Sequence, residues 1–276
     1  MTGMTKEHIT AHRGGFDWGT TRIARHDDPG NVSGIGVGVV RLAANERLAH
    51  SAERETAWLL MSGVVRVTAD QRECELSRDS LFDQSASCVH VPAGGSVIFE
   101  ALRDTELMVF DCANVRPFDV RVFTPSDVPN EPRGRGQVGD RALRYVRTIF
   151  DRTNSPEAVE LVLGEVVTFP GGWSSYPPHH HPQPEIYHYR FTQAQGYGHA
   201  ELGDSVVKVM EYDTIHIPAG LDHAQCAAPG YGMYYSWVIR HLPDQPYTIP
   251  EFTAEHAWTL AAGAPFWRPR ELDQDE

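Results

Sequence analysis

Short apolar segments of about five to eight residues, rich in Val, Ile, Tyr and Phe, recur along the chain and are broken by Gly, Pro, Asp and Asn. Examples are "GIGVGVVRL", "VELVLGEVVTF", "EIYHYRF" and "TIHIPAG". Short strands at this spacing are typical of an all-β sandwich or barrel. A doubly wound α/β fold would need helical patterns of about 10–15 residues between the strands, and none is found. The pattern predicts an all-β fold with few short helices.

The chain repeats part of its pattern. "CVHVPAGGS" at 88–96 resembles "TIHIPAGLDH" at 214–223, and the segment between the two β-rich halves is rich in Pro, Gly and charge. A period this long indicates a duplicated domain and not a solenoid. We predict an N-terminal domain at 1–123, an interdomain crossover at 124–144 and a C-terminal domain at 145–276.

Composition narrows the class of protein. The 276 residues are 41% hydrophobic and carry a formal net charge of −13. The charge argues against nucleic acid or an anionic membrane as a partner, but a few local arginines can still bind a small anionic substrate. Without an apolar leader, a run of about 18 apolar residues or CxxC spacing, we expect a cytoplasmic protein with reduced thiols. Residues 271–276 are expected to form an acidic tail.

The stretch "PPHHHPQPE" carries the candidate chemistry. Side chains alternate along a strand, so His179 and His181 share a face while His180 faces away. Glu185 begins the next strand and can return to the same point across a short turn, and "IPAGLDH" supplies His223 from a distant strand. Three imidazoles and a carboxylate suit a divalent metal, with Zn as the first choice and Mn, Fe or Ni as alternatives. The competing interpretation is an adventitious histidine cluster on an exposed loop.

These two motifs resemble those of the cupin family, in which His-x-His is followed by Glu, and a later Pro-x-Gly is followed by His. The resemblance implies a jelly-roll barrel in each half, and therefore a bicupin. Further segments resemble the 5-deoxy-glucuronate isomerase family of myo-inositol catabolism, in order through nearly the whole chain: "GGWSSYPPHHH", "EIYHYRF", "AAPGYGMYYSWV" and "RGRGQ…LRYVRTI". That family implies conversion of 5-deoxy-D-glucuronate, a small anionic sugar acid, to 2-deoxy-5-keto-D-gluconate.

Two departures from the family pattern lie at the mouth of the predicted metal site. The loop between His181 and Glu185 is shorter, and one extra residue precedes His223. Both bear on substrate specificity. The alternatives are a 4-deoxy-5-keto-uronate isomerase of pectin catabolism, which shares the bicupin plan, a metal-dependent cupin dioxygenase, and a non-catalytic sugar-binding cupin.

The N-terminal half is predicted to be metal-free. It has His50 and Glu55 near the corresponding strand but no second histidine in register, and Gly95 and Ser96 stand where the last ligand should be. We expect its pocket to be filled by apolar side chains from "WLLM" and "VIF", and its role to be support, dimerisation or closure of the cavity. Since the exposed edges of bicupins are often buried in dimers, a homodimer is expected.

An aldose–ketose isomerisation needs a proton or hydride moved between C1 and C2, and a group that binds the carboxylate. Glu165, a charge inside an apolar strand, is a candidate base or partner of the metal ligands; the alternative is a solvent-facing residue. Tyr187 shares the face of the ligating glutamate and is a candidate proton donor or a packed core residue, while His188 and Arg190 should face outward. Arg144 matches the family's arginine and is a candidate carboxylate ligand; the alternative is an interdomain ion pair.

Overall fold

The computed structural model describes residues 8–270, and strands β1–β21 account for most of its regular structure. No α-helix occurs in that range, and short 3-10 helices lie at Val138–Asp140 and Ala257–Leu260. None of the helical segments in residues 8–270 has the length and apolar character needed to cross a bilayer. The all-β prediction is confirmed, and the expected acidic tail lies outside the described residues.

The strands follow the short apolar segments of the sequence. Those of the first half are β1 (Ile9–Ala11), β2 (Gly19–Ala24), β3 (Ile35–Leu42), β4 (Arg47–Ser51), β5 (Thr56–Ala69), β6 (Arg72–Arg78), β7 (Cys88–Val91), β8 (Ser96–Ala101), β9 (Thr105–Cys112) and β10 (Arg121–Phe123). Those of the rest are β11 (Glu131–Arg133), β12 (Arg144–Phe150), β13 (Leu161–Thr168), β14 (Trp173–His180), β15 (Glu185–Phe191), β16 (Tyr197–Leu202), β17 (Ser205–Met210), β18 (Asp213–Ile217), β19 (His223–Ala227), β20 (Met233–Arg240) and β21 (Glu251–Phe252).

The N-terminal barrel has two layers joined by the long strand β5. One layer has the order β10-β7-β5-β9-β3-β2, and the other pairs β4 with β8 and both β8 and β6 with β5. Strand β5 changes layer near Gly63, which has a φ of 107°. A Cβ on Gly63 would lie 2.4 Å from the backbone oxygen of Asp104, so only glycine fits this bend.

The C-terminal barrel is formed by two facing sheets. One has seven strands in the order β1-β18-β15-β20-β13-β12-β11, and the other has five in the order β17-β16-β19-β14-β21. Two of these strands come from outside the predicted domain. Strand β1 pairs with β18 although the sequence assigns it to the N-terminal domain, and β11 of the predicted crossover pairs with β12. The crossover is therefore part of the C-terminal sheet and not only a connection.

Apolar side chains form a cluster inside each barrel and a third cluster between the barrels. The third cluster lies where the large sheets of the two halves pack face to face. It includes Val37, Leu59, Cys88, Met108, Phe110 and Cys112 from the first half and Leu161, Leu163, Ile186, Tyr234 and Val238 from the second. Both faces of β15 are buried as a result.

The burial of β15 corrects the expectation that His188 and Arg190 face outward. Both side chains lie on the interdomain face and are buried. His188 is hydrogen-bonded through Nδ1 to the hydroxyl of Thr214 at 2.8 Å, and Arg190 donates to Glu106 of the first half. Strand alternation correctly predicted the face of β15 on which these side chains lie. That face packs against the other barrel and is not exposed to solvent.

Candidate active site

Three strand ends meet at one end of the C-terminal barrel. Strand β14 ends at His180, β15 begins at Glu185 as predicted, and β19 begins at His223. His179 on β14 lies directly opposite His223 on β19 in the antiparallel ladder. This pairing brings the two histidine-bearing segments, which are far apart in sequence, to one place.

His181, Glu185 and His223 form a buried group whose ligand atoms all lie within 4.8 Å of one another. The Nε2 atoms of His181 and His223 are each 3.3 Å from Oε2 of Glu185. Burial alone would raise the pKa of Glu185, but contact with the two histidines lowers it to about 2. The group therefore offers an ionised carboxylate and two imidazoles at one point.

The orientation of His223 suits a metal ligand. Its Nδ1 lies 3.0 Å from the backbone oxygen of Leu221, so Nε2 is the nitrogen that faces Glu185. That Nε2 is buried and lacks a hydrogen-bond partner in residues 8–270, as does the Nδ1 of His181. Buried polar atoms without partners are costly, and imidazole nitrogen is a common ligand of divalent metals. The group fits a divalent ion.

His179 lies beside this group but outside its three members. Its ring centroid is 4.5 Å from that of His223, and its Nδ1 is 3.3 Å from the backbone oxygen of Pro177. Burial, together with the neighbouring His223, lowers the pKa of His179 to about 3, so the ring is neutral at pH 7. His180 is directed elsewhere, with Nδ1 2.7 Å from a carboxylate oxygen of Asp222. The structure thus brings together three of the four predicted ligands and places the fourth next to them.

The group opens into a cavity of about 370 Å³. His179, His181 and Glu185 line it, and so do Arg144 and Tyr187. A cavity of this size is in the range of small-molecule sites. Two of the three predicted catalytic residues therefore share a cavity with the candidate metal ligands.

Arg144 lines the cavity with an incompletely bonded guanidinium group. Its Nη1 donates to the backbone oxygen of Ala142 at 2.8 Å and its Nη2 to that of Tyr176 at 3.3 Å. Its Nε is buried without a partner, and burial lowers the pKa of Arg144. No carboxylate of residues 8–270 forms an ion pair with it, so the alternative of an interdomain ion pair does not hold.

Tyr187 is fixed by its neighbours in the barrel. Its ring stacks on Tyr235 with centroids 4.5 Å apart, and its hydroxyl lies 3.1 Å from Oγ of Ser175. Ser175 has a φ of 48°, a left-handed backbone that is uncommon for a residue other than glycine. Burial raises the pKa of Tyr187 well above its usual value, so the phenol is protonated at neutral pH. Tyr187 can donate a hydrogen bond or a proton into the cavity.

Glu165 is not in the cavity, and its prediction as a base or partner of the ligands is wrong. It lies on the interdomain face of β13, fully buried, and accepts hydrogen bonds from Arg78 at 3.0 Å, Arg147 at 2.9 Å and the Tyr234 hydroxyl at 2.7 Å. Burial would raise its pKa, but the two arginines lower it below the usual glutamate value. A carboxylate enclosed by two guanidinium groups joins the barrels and takes no proton from the cavity. The solvent-facing alternative is also wrong.

The C-terminal segment at 241–252, for which the sequence pattern predicted no role, forms one wall of the cavity. The ring of Tyr247 lies 5.0 Å from that of His181, and Gln183 donates to the backbone oxygen of Gln245 at 2.8 Å. Strand β21 pairs with β14. The segment has no period-two pattern, so its sequence carried no signal for this position.

Comparison with known proteins finds a matching family and named relatives. The model of the KduI/IolB family matches residues 10–259. A curated relative from Geobacillus kaustophilus, named 5-deoxy-glucuronate isomerase, is 27% identical over 243 residues, which cover 78% of this chain and 86% of the relative.

Solved structures share the fold. The crystal structure of an IolB-like protein from Salmonella typhimurium matches with a TM-score of 0.79 and 24% identity, covering 92% of this chain and 99% of that one. A cupin 2 conserved barrel domain protein from Leptotrichia buccalis matches with a TM-score of 0.50 and 12% identity, over 87% of this chain and 92% of that one. The fold is thus a bicupin, and because the family model spans most of its length, the chain belongs to the KduI/IolB family and is an isomerase.

Proposed function

We propose that the protein converts 5-deoxy-D-glucuronate to 2-deoxy-5-keto-D-gluconate. The observation that carries the proposal is a single cavity lined by His181 and Glu185 of the buried His/Glu/His group and by Arg144, whose Nε is unpaired. An aldose uronate has carbonyl and hydroxyl oxygens at one end and a carboxylate at the other, and the cavity offers groups for both. The curated relatives named 5-deoxy-glucuronate isomerase support this substrate.

His181, Glu185 and His223 would hold the metal, with His179 as the proposed fourth ligand. A bound divalent ion, with Zn as the first choice and Mn, Fe or Ni as alternatives, would supply a Lewis acid that polarises the reacting oxygens. The ionised state of Glu185 and the burial of His223 Nε2 beside it support this assignment.

Arg144 would bind the substrate carboxylate and so fix the position of C1 and C2 in the cavity. A planar guanidinium group with an unused Nε–H suits two parallel hydrogen bonds to a carboxylate. Tyr187 would donate a hydrogen bond to a substrate oxygen, because its phenol keeps its proton at neutral pH. Stacking on Tyr235 and contact with Ser175 hold the phenol in place.

The test is an assay of the purified protein on 5-deoxy-D-glucuronate, with product identified by NMR. Isomerisation should stop with chelator and return when one metal is added back, and the add-back series identifies the metal. In parallel, 4-deoxy-5-keto-uronate tests the pectin-catabolism alternative, and oxygen uptake tests a dioxygenase. Failure of the metal-loaded protein to isomerise 5-deoxy-D-glucuronate would contradict the proposal.

A further inference from the structure

Two arginines lie directly opposite each other in the sheet that lines the cavity. In the antiparallel ladder of β11 and β12, Arg133 pairs with Arg144, and both residues line the cavity with the metal-binding group. Like charges in direct cross-strand opposition destabilise a sheet. An anion between or beside them would remove that cost.

Arg144 needs such an anion more than Arg133 does. Its Nε is buried without a partner, and its pKa is lowered by burial and, to a lesser degree, by the charge of Arg133. The turn at Gly134 lets the guanidinium group approach the backbone closely: a Cβ there would lie 2.9 Å from Nη1 of Arg144. The backbone thus leaves room for this cation without supplying a countercharge.

Arg133 has a partner that a ligand can share. Its Nε and Nη2 donate to Oε2 of Glu131 at 2.9 and 2.7 Å. Both side chains are about half exposed, at 52% and 47%, and such ion pairs contribute little to stability. A carboxylate in the cavity can therefore compete with or join Glu131 at low cost.

We propose that Arg133 and Arg144 form a two-arginine site for the carboxylate of the sugar acid, so that the crossover strand β11 supplies a specificity-determining residue. The inference rests on the proposed function, because it takes the ligand to be a uronate. It adds Arg133, for which the sequence pattern predicted no role, and it makes net charge the property by which the cavity selects its ligand.

The test compares two probes that differ in charge, D-glucuronate and its methyl ester, by calorimetric titration of the metal-loaded protein. The wild type should bind the acid more tightly than the ester. Arg133→Met should weaken binding of the acid about tenfold, equivalent to about 1.4 kcal/mol, and leave the ester unchanged. Arg133→Lys keeps the charge but loses the planar fork, and should weaken binding about threefold.

Arg135→Met is the matched control. Arg135 lies two positions along the same segment, is exposed and does not line the cavity. Its substitution therefore removes the same charge at a position outside the proposed site. Arg135→Met should leave the affinities for the acid and for the ester unchanged. Glu131→Gln should strengthen binding of the acid about twofold by freeing Arg133. Metal content, measured by mass spectrometry, should stay at the wild-type value in all variants.

Equal binding of acid and ester by the wild type, no binding of the acid, or equal losses in Arg133→Met and Arg135→Met would overturn the two-arginine site. These results are separable from failure of the proposed function. If the wild type does not isomerise 5-deoxy-D-glucuronate but prefers the acid through Arg133, the proposed reaction falls and the acid site stands. Isomerisation with an unchanged KM in Arg133→Met overturns the acid site alone.

Discussion

The two barrels share a fold and a Pro-Ala-Gly turn but differ in what fills them. In the C-terminal barrel the turn at 218–220 leads to His223, which joins the buried His/Glu/His group. In the N-terminal barrel the turn at 92–94 leads to Gly95 and Ser96, and the interior is packed with apolar side chains: Trp58, Leu60, Val97 and Phe99. The same fold thus occurs with and without the candidate metal site, which depends on a few side chains at one end of the barrel.

The acidic residues of the two halves show the same contrast. Glu185 faces the cavity, whereas Glu55 is hydrogen-bonded to His90 Nε2 at 2.9 Å and to the backbone N–H groups of Glu160 and Leu161 at the start of β13. His50 packs edge-on against Trp58 instead, with ring centroids 5.1 Å apart. His50 and Glu55 thus have different partners. Glu55 serves as a contact between the barrels.

The largest expected effect separates the two barrels by activity. His223→Ala should lower kcat/KM by more than about 100-fold and remove most of the metal, because loss of mere outer partners of a metal site already costs about 10–100-fold. His50→Ala is the matched control and should leave turnover and metal content unchanged. Circular dichroism should show both variants folded. Loss of turnover in folded His50→Ala, or two metal ions per chain, would contradict this division between a supporting barrel and a catalytic one.

The next effect concerns the contact between the barrels. Glu165→Ala would leave Arg78 and Arg147 buried without their countercharge, and should lower the free energy of unfolding by about 3–5 kcal/mol. Glu100→Ala removes the exposed pair with Arg66 and should cost less than about 1 kcal/mol. Urea unfolding measures both. Equal costs would mean that the Glu165 network does not hold the barrels together.

Acid should weaken the same contact. The pKa values of Glu55 and Glu165 are lower in the folded protein than the usual 4.5, so the unfolded chain binds more protons as the pH falls. Their contribution to stability is complete above about pH 4.5 and decreases below it. Urea unfolding of chelator-treated protein from pH 7 to pH 3 should show this decrease, and Glu55→Gln should make it shallower. A pH-independent profile would contradict the assignment.

The smallest expected effect lies within the histidine stretch. His180→Ala should leave metal content near one ion per chain, because His180 contacts Asp222 and not the buried group. His181→Ala, one position along, should lose most of the metal. Mass spectrometry of the two purified variants gives the comparison. Similar losses in both would indicate a flexible adventitious cluster.

Local pattern predicted much of this arrangement. Period-two alternation and turn residues gave the strand class, the start of β15 at Glu185 and the separation of His180 from His181. Alternation also says which side chains share a face, but not what covers that face. Glu165 and Arg190 were therefore misplaced, because their partners Arg78 and Glu106 lie more than 80 residues away in sequence. The position of segment 241–252 in the cavity wall and the pairing of β1 with β18 also depend on tertiary contacts, which the local sequence pattern does not show.

The cysteines of the interdomain cluster allow separation of the two barrels to be measured. Cys88 and Cys112 are buried in that cluster, whereas Cys74 and Cys226 are partly exposed. Burial raises the pKa of both interior thiols, so they stay unreactive towards alkylating reagents while the barrels remain packed together. Because Cys74 and Cys226 are more accessible, native protein should be labelled at these two thiols first. Cys88 and Cys112 should react only as fast as the barrels separate, and mass spectrometry over time would give the rate of that separation.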